Sequence, residues 1–100
     1  MQERRTSERF RANFNLRWET LKAQGRGSVC DLSSSGCFLL TGGEVMAGEL
    51  LRMDLISNNG IATLWGNVVY AINEMGLAIR FVFGSEADKQ AVERVTRNAQ

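Results

Sequence analysis

The stretch FRANFNLRWE, residues 10–19, alternates apolar and polar side chains without a break. Its even-numbered positions are apolar and its odd-numbered positions are polar or charged, so one face suits a core and the other suits water. A period of two is typical of a β-strand. We therefore predict a first strand that begins at Phe10 and runs to about Leu21, followed by a turn at Gln24-Gly25.

Five further short strands follow, separated by turn-forming residues. The turn formers include Ser33–Gly36, and Asn58-Asn59-Gly60 is a strong hairpin signal because Asn and Gly tolerate positive φ. Gly66, inside the fifth strand, indicates a bulge or a close backbone approach. The predicted strands cover residues 26–32, 37–41, 50–57, 61–72 and 76–83. Six strands within residues 10–84 indicate a mainly β fold, a small closed antiparallel barrel.

The last segment, residues 85–100, has a different pattern. Ser85 and Asp88 have the spacing of a capping box, which marks the start of a helix. A narrow apolar stripe at helical spacing follows, made of Ala91, Val92, Val95 and Ala99. We predict one helix over about 86–98 that packs on the barrel or covers its mouth.

Composition limits the class of protein. The 100 residues are 44% hydrophobic and 23% charged, which predicts one globular domain and leaves no room for separate cofactor and substrate domains. No apolar run approaches the ~20 residues of a bilayer-spanning helix, and no apolar segment follows Met1–Arg5, so we expect a cytoplasmic protein without a signal peptide. The absence of histidine removes the commonest general base and zinc ligand, and we expect neither metal nor cofactor.

Two cysteines, Cys30 and Cys37, are too few for a disulfide scaffold. Their C-x6-C spacing matches no common zinc arrangement. Each lies in an apolar, strand-like stretch, which favours a role as a small core or strand residue. A redox role is the alternative.

Charge is distributed unevenly along the chain. Residues 1–26 carry seven basic and three acidic residues, a net +4, whereas the remainder carries five basic and eight acidic residues, a net −3. Six of the seven N-terminal cations are arginine. These arginines form either a solvated basic face or an anion site, because the planar guanidinium matches phosphate oxygens and guanine edges.

Two short motifs stand out. Residues 5–9 read RTSER, an R-x-x-x-R preceded by Arg4, within a polar segment (residues 1–9) that we predict to be a mobile arm. Residues 31–36 read DLSSSG, a D-x-S-x-x-G at the end of the second predicted strand. Each motif is weak alone, because arginines four apart are common and D-x-S-x-x-G also describes an ordinary turn in which the Asp and Ser side chains bond to the backbone. Their order and context make the chain resemble the PilZ domain family.

The resemblance covers essentially the whole chain, including the strand count, the last strand at Gly76–Phe81 and the C-terminal helix. It implies a bacterial, non-enzymatic receptor for cyclic di-GMP that signals to a partner protein. The residues that it implies as ligands are Arg4, Arg5, Arg9, Asp31, Ser33 and Gly36. Trp65 is a further candidate for stacking on a base or an arginine, although a barrel-wall aromatic is favoured there, and Trp18 is expected in the core.

The chemistry of these side chains agrees with that ligand. Arg5 and Arg9 supply permanent cations for two phosphates and forks for the O6/N7 edge of guanine. Asp31 can accept from guanine N1–H and N2–H, and Ser33 can serve a phosphate or an amine. Gly36 is expected to give the turn a positive φ and to let the backbone approach the ligand. Glu8 departs from the family pattern, since it could pair with Arg9 and weaken the site.

Three alternatives stay open. The first is a PilZ-like adaptor that binds a protein and no nucleotide, which two intact motifs argue against. The second is a small barrel that binds single-stranded nucleic acid, although the charge outside the arm is negative and most aromatics are in phase with the core. The third is a hydrolase that uses Asp31 and Ser33, which the lack of histidine and of a second acid in the motif disfavours.

Overall fold

The computed structural model describes residues 10–57 and 60–99. Six strands and one helix form in this part of the chain: β1 (Phe10–Glu19), β2 (Gln24–Leu32), β3 (Gly36–Leu40), β4 (Leu50–Ser57), β5 (Gly60–Ile72), β6 (Gly76–Phe81) and α1 (Glu86–Ala99). All neighbouring strands are antiparallel and close a barrel in the order β1-β2-β3-β6-β5-β4. The predicted mainly β class, six-stranded barrel and C-terminal helix are confirmed.

The first turn lies earlier than predicted. The Thr20 N–H donates to the Ala23 carbonyl at 2.8 Å, and the Thr20 hydroxyl accepts from the N–H groups of Lys22 and Ala23 at 3.1 and 3.0 Å. Gln24 and Gly25, predicted as the turn, are instead paired with Glu19 and Trp18 in the ladder. A Cβ on Gly25 would lie 2.6 Å from Cζ2 of Trp18, so this glycine makes room for an indole ring and does not form the turn.

The core fills the inside of the barrel with the inward residues of every strand. Trp18 is only 2% exposed, which confirms its expected place in the core. Its Nε1–H donates to the Thr41 hydroxyl at 3.0 Å, and that hydroxyl donates to the Arg26 carbonyl at 2.9 Å, so the buried indole N–H is satisfied. The other largest fully buried side chains are Leu16, Val29, Leu32, Leu39, Leu51, Met53, Leu64 and Leu77.

The β4–β5 hairpin forms where it was predicted. Ser57 pairs with Gly60, which has a φ of 114°, while the predicted turn residues Asn58 and Asn59 lie outside the described residues. Gly66 is a close approach, because a Cβ there would overlap Cγ2 of Ile79. The bulge of this strand lies further along, between Val68 and Tyr70.

The helix begins at Glu86, as the capping signal predicts. The Ser85 hydroxyl accepts from the Asp88 N–H at 3.3 Å, and the Asp88 carboxylate accepts from the Gly84 N–H at 2.9 Å. Ala91, Val92 and Val95 are buried, and the helix contacts β5 and β1, which confirms that it packs on the barrel. Within the described residues no helix combines the length and apolarity that a bilayer crossing requires.

The two cysteines occupy different positions. Cys30 is half-buried at a register shift of β2, whereas Cys37 points into the core and is 7% exposed. Both thiols are free. Burial, with smaller contributions from Cys30 and Asp31, raises the pKa of Cys37 from its usual 9.0 to about 12. A thiol so far from the reactive thiolate form favours the core role.

This shift predicts a pH-dependent stability. Above pH 9 the unfolded chain releases the Cys37 proton while the folded state retains it, so the free energy of unfolding falls as the pH rises from about 9 towards 12. In urea titrations at pH 9.0, 9.5 and 10.0, this loss should approach a slope of about 1.4 kcal/mol per pH unit and should be absent in Cys37→Ala. Cys30→Ala is the matched control. Parallel pH profiles for the wild type and Cys37→Ala would contradict the assignment.

Candidate functional site

The D-x-S-x-x-G segment forms the tight connection between β2 and β3. The Ser33 N–H donates to the Gly36 carbonyl at 2.9 Å and closes the turn. The Ser33 side chain is 5% exposed, and its hydroxyl accepts from the N–H groups of Ser35 and Gly36, each at 3.2 Å. It also lies 3.1 Å from the Ser35 hydroxyl. The hydroxyl of Ser33 is therefore engaged inside the turn, and its observed contacts give it a positioning role.

Gly36 is required for a reason other than the predicted one. It is not among the described glycines with positive φ, which are Gly48 and Gly60. A Cβ at Gly36 would instead overlap the carbonyl oxygen of Ile79 on β6. The expectation of a positive φ at Gly36 is therefore wrong, and the glycine allows β3 and β6 to approach each other closely.

The turn is also attached to β6 by its backbone. The Phe81 N–H donates to the Ser35 carbonyl at 2.9 Å, and Gly36 pairs with Arg80 in the ladder. The turn is thus held in place by β6 as well as by β2 and β3, the two strands that it connects.

Asp31 lies on the outer face of β2, directly opposite Arg11 of β1. It is half-buried. In the next register position Phe10, the first described residue, pairs with Leu32. The first described residue of β1 therefore lies beside the D-x-S-x-x-G turn. Arg4, Arg5 and Arg9 themselves lie outside the described residues, as does Glu8.

Trp65 lies on the outer face of β5 and is 36% exposed. Asn67, two residues along β5, pairs with Arg80, the neighbour of Gly36. Two strand spacings and two residues separate Trp65 from Gly36, roughly 12 Å between Cα atoms. Trp65 lines a different surface hollow, with Met46 and Leu50. The structure does not bring this tryptophan into the immediate surroundings of the turn.

The order of the motifs, the six-stranded barrel and the turn geometry agree with one known family. The family model described as PilZ domain matches residues 3–98. The chain belongs to the PilZ domain family. No curated protein matches the chain significantly.

Several solved structures share the fold at low sequence identity. The chain superposes on the PilZ domain of CeSA from a cellulose-synthesizing bacterium with a TM-score of 0.78 at 15% identity, covering 91% of this chain and 96% of that one. It superposes on the PilZ domain of YcgR from Escherichia coli, described with c-di-GMP, with a TM-score of 0.80 at 17% identity, covering 97% of this chain and 92% of that one. It superposes on MrkH in the K. pneumonia MrkH–c-di-GMP complex with a TM-score of 0.76 at 19% identity, covering 97% of this chain and 52% of MrkH.

The barrel places further side chains beside the turn of this PilZ domain. Arg80 is exposed on β6, between Gly36 and Asn67 in the register. Phe38 pairs with Asp31, and one outer row continues from Phe38 through Ala78 to Tyr70. Sequence alternation marks these residues as outward-facing, but their proximity to the turn depends on the strand order 3-6-5, which the sequence pattern does not reveal.

No group of three or more acidic or cysteine side chains that could hold a metal ion occurs among the described residues. The turn region offers hydrogen-bond donors, a carboxylate, exposed guanidinium groups and aromatic rings. Such a set can bind an anionic, planar ligand.

The bonds of Ser33 lead to a prediction about stability. Ser33→Ala removes the acceptor of two backbone N–H groups, so the free energy of unfolding should fall by about 1–2 kcal/mol. Ser34→Ala is the matched control at the adjacent exposed position and should change stability by less than about 0.5 kcal/mol. Urea unfolding followed by circular dichroism measures both. Equal stability of the two variants would show that the hydroxyl does not hold the turn.

Proposed function

We propose that this PilZ domain is a non-enzymatic receptor for cyclic di-GMP, in which the N-terminal arm closes over the nucleotide against the D-x-S-x-x-G turn. The observation that carries the proposal is the pairing of Phe10 with Leu32. Because Phe10 directly follows the R-x-x-x-R motif in the sequence, this pairing supports a site in which Arg4, Arg5 and Arg9 act together with the turn that carries Asp31 and Gly36. Arg9 and Asp31 are 22 positions apart in the sequence.

The arginines are suited to the anionic part of the ligand. Cyclic di-GMP carries two phosphates, and each guanidinium presents a planar pair of donors that fits two phosphate oxygens or the O6/N7 edge of guanine. Residues four apart in an extended segment lie about 13 Å apart, so Arg5 and Arg9 can reach different parts of one ligand. Arg4 adds a third cation next to Arg5.

The turn is suited to the base. Asp31 presents a carboxylate on the outer face, and a carboxylate complements the N1–H and N2–H donors of guanine. Phe38 lies next to it in the register, and an aromatic ring can stack on a purine. Arg80, exposed beside Gly36, supplies a further cation. Ser33 and Gly36 hold the turn in the shape that presents these groups.

Other observations support a receptor over an enzyme. The Ser33 hydroxyl bonds to backbone groups of its own turn and not to a base, and the chain has no histidine. Two of the solved neighbours, the YcgR domain and the MrkH complex, are described with c-di-GMP. A partner protein would bind the nucleotide-bound state of the domain. The protein would act in the cytoplasm, where nucleotide second messengers are found.

Loss of the arm arginines should abolish binding without unfolding the barrel. In a calorimetric titration with cyclic di-GMP, Arg5→Ala and Arg9→Ala should each abolish measurable binding, a loss of at least about tenfold in affinity, because each removes charge-assisted bonds. Arg9→Lys should not restore binding, because lysine lacks the bidentate fork. Amide exchange of residues 2–9 should slow when the ligand binds.

Arg94→Ala, on the exposed face of α1, is the matched control and should bind as the wild type does. Near-native affinity in both arm variants would refute the assigned site. An absence of binding by the wild type would refute the receptor function and leave the protein-binding adaptor and the single-stranded nucleic-acid binder as the candidates.

The site should select guanine over adenine. Cyclic di-AMP offers Asp31 no N1–H or N2–H donor. Where guanine presents its O6 acceptor to the arginines, adenine presents an amino group, which is a donor like the guanidinium itself. Buried polar groups left unpaired reject an analogue strongly, so cyclic di-AMP should bind at least about a hundredfold more weakly. Asp31→Asn should weaken the binding of cyclic di-GMP and reduce the difference in affinity between cyclic di-GMP and cyclic di-AMP. Competition titrations measure the ratio, and equal affinities would show that the site responds to phosphate charge alone.

A further inference from the structure

A second group of arginines lies on the outer face of the barrel, near the other end of β1. Arg17 of β1 and Arg26 of β2 are paired directly across the ladder, so their Cβ atoms lie about 5 Å apart. Both side chains are exposed on the same face. Like charges in directly opposite positions of an antiparallel pair destabilise the sheet. An anion bound between the two guanidinium groups would relieve this repulsion.

The carboxylates nearby form their ion pairs and hydrogen bonds with other groups. Asp54 of β4 lies next to Arg17 in the register, but its carboxylate bonds to Arg52 at 3.4 Å and to the Thr63 hydroxyl at 2.8 Å. Glu19 bonds to the same arginine, Arg52, at 3.3 Å. Within residues 10–57 and 60–99, neither Arg17 nor Arg26 forms an ion pair.

Arg17 and Arg26 line a surface hollow of about 460 Å³. Its other lining residues are a third arginine, two carboxylates that pair with it, and three residues without charge: Arg52, Glu19, Asp54, Trp18, Gln24 and Gly25. A second hollow of about 630 Å³ adjoins it and shares Glu19 and Arg52 as a common wall. Its lining is mainly apolar and includes Leu21, Met46, Leu50 and Trp65. These four apolar side chains are exposed, and Leu21 is fully so.

We propose that Arg17 and Arg26 bind a phosphate group, and that the ligand is a phosphate ester whose apolar or aromatic part lies against Trp65. Two guanidinium forks facing one hollow match the oxygens of a phosphate. Arg17 and Trp65 are two strand spacings and two residues apart, roughly 12 Å between Cα atoms, which side chains of their length bridge with one ester between them. Free esters and lipid headgroups share this chemistry, and the test separates them.

This site is distinct from the D-x-S-x-x-G turn. Arg11, opposite Asp31, and Arg17, opposite Arg26, are six residues apart on β1, about 20 Å by strand rise. The inference therefore does not depend on cyclic di-GMP binding.

Stability measurements give the first test. In low-salt buffer without phosphate, Arg26→Gln should raise Tm by roughly 1–5 °C, because it removes the like-charge pair. Arg94→Gln on α1, the control, should not. Inorganic phosphate should raise the Tm of the wild type more than chloride at equal ionic strength, and should lose this advantage in Arg17→Gln and Arg26→Gln. An equal response to phosphate in the wild type and Arg26→Gln would overturn the site.

Ligand binding gives the second test. Phenyl phosphate should quench or shift the Trp65 fluorescence, bind more tightly than inorganic phosphate, and lose about tenfold in affinity in Arg26→Gln. The signal should disappear in Trp65→Phe, which retains the buried Trp18. Phosphatidylglycerol vesicles, compared with phosphatidylcholine vesicles, distinguish the source: sedimentation that depends on Arg26 identifies a lipid headgroup, and binding of the soluble ester alone identifies a free ester.

Binding of neither probe would refute the proposal. A titration of Arg26→Gln with cyclic di-GMP tests whether this phosphate site is separate from the proposed nucleotide site. Unchanged affinity there supports a separate site, and loss of affinity would show that Arg26 belongs to the nucleotide site instead.

Discussion

The barrel depends on β1, which hydrogen-bonds to β2 on one side and to β4 on the other and so closes the sheet. Closure fixes the register of every strand, because a shift of one residue would move a buried face outward. The buried indole of Trp18 strengthens this constraint, since Gly25 and Gly43 leave space for its ring and Thr41 accepts its N–H. The positions of both ends of β1 follow, one beside the D-x-S-x-x-G turn and one beside the Arg17–Arg26 pair.

Alternation predicted the elements well, because one side of each strand packs into a single core. The prediction from sequence failed for glycine, which can either form a turn or leave space for a neighbouring side chain. Gly25 looked like a turn former, yet its lack of a side chain is needed under Trp18, and the turn is made by Thr20. Sequence shows that a glycine is present, but whether a turn or a neighbouring ring requires it depends on contacts across the barrel.

The candidate site shows the same division. The identities of Asp31, Ser33 and Gly36 could be read from the motif, and their common place in one turn followed. The bonds of Ser33 lie within its own turn, as is ordinary for a serine in such a turn. The contact of Gly36 with Ile79 could not be predicted, because it depends on β6, which is more than 40 residues away in sequence. The direct opposition of Arg17 and Arg26 was equally hidden, since it requires the exact length of the first turn.

The closed barrel also restricts how a partner can recognise this protein. Each described strand pairs with two neighbours, but only over part of its length: β1 pairs with β4 through Asn15–Glu19, and β2 pairs with β3 through Ser28–Leu32. β-Strand addition, in which an incoming peptide extends a sheet, is therefore restricted to the short stretches that have a strand on one side only. Elsewhere on the barrel wall a binding protein would contact the outward side chains, so a single outward substitution can alter such a contact without altering the fold.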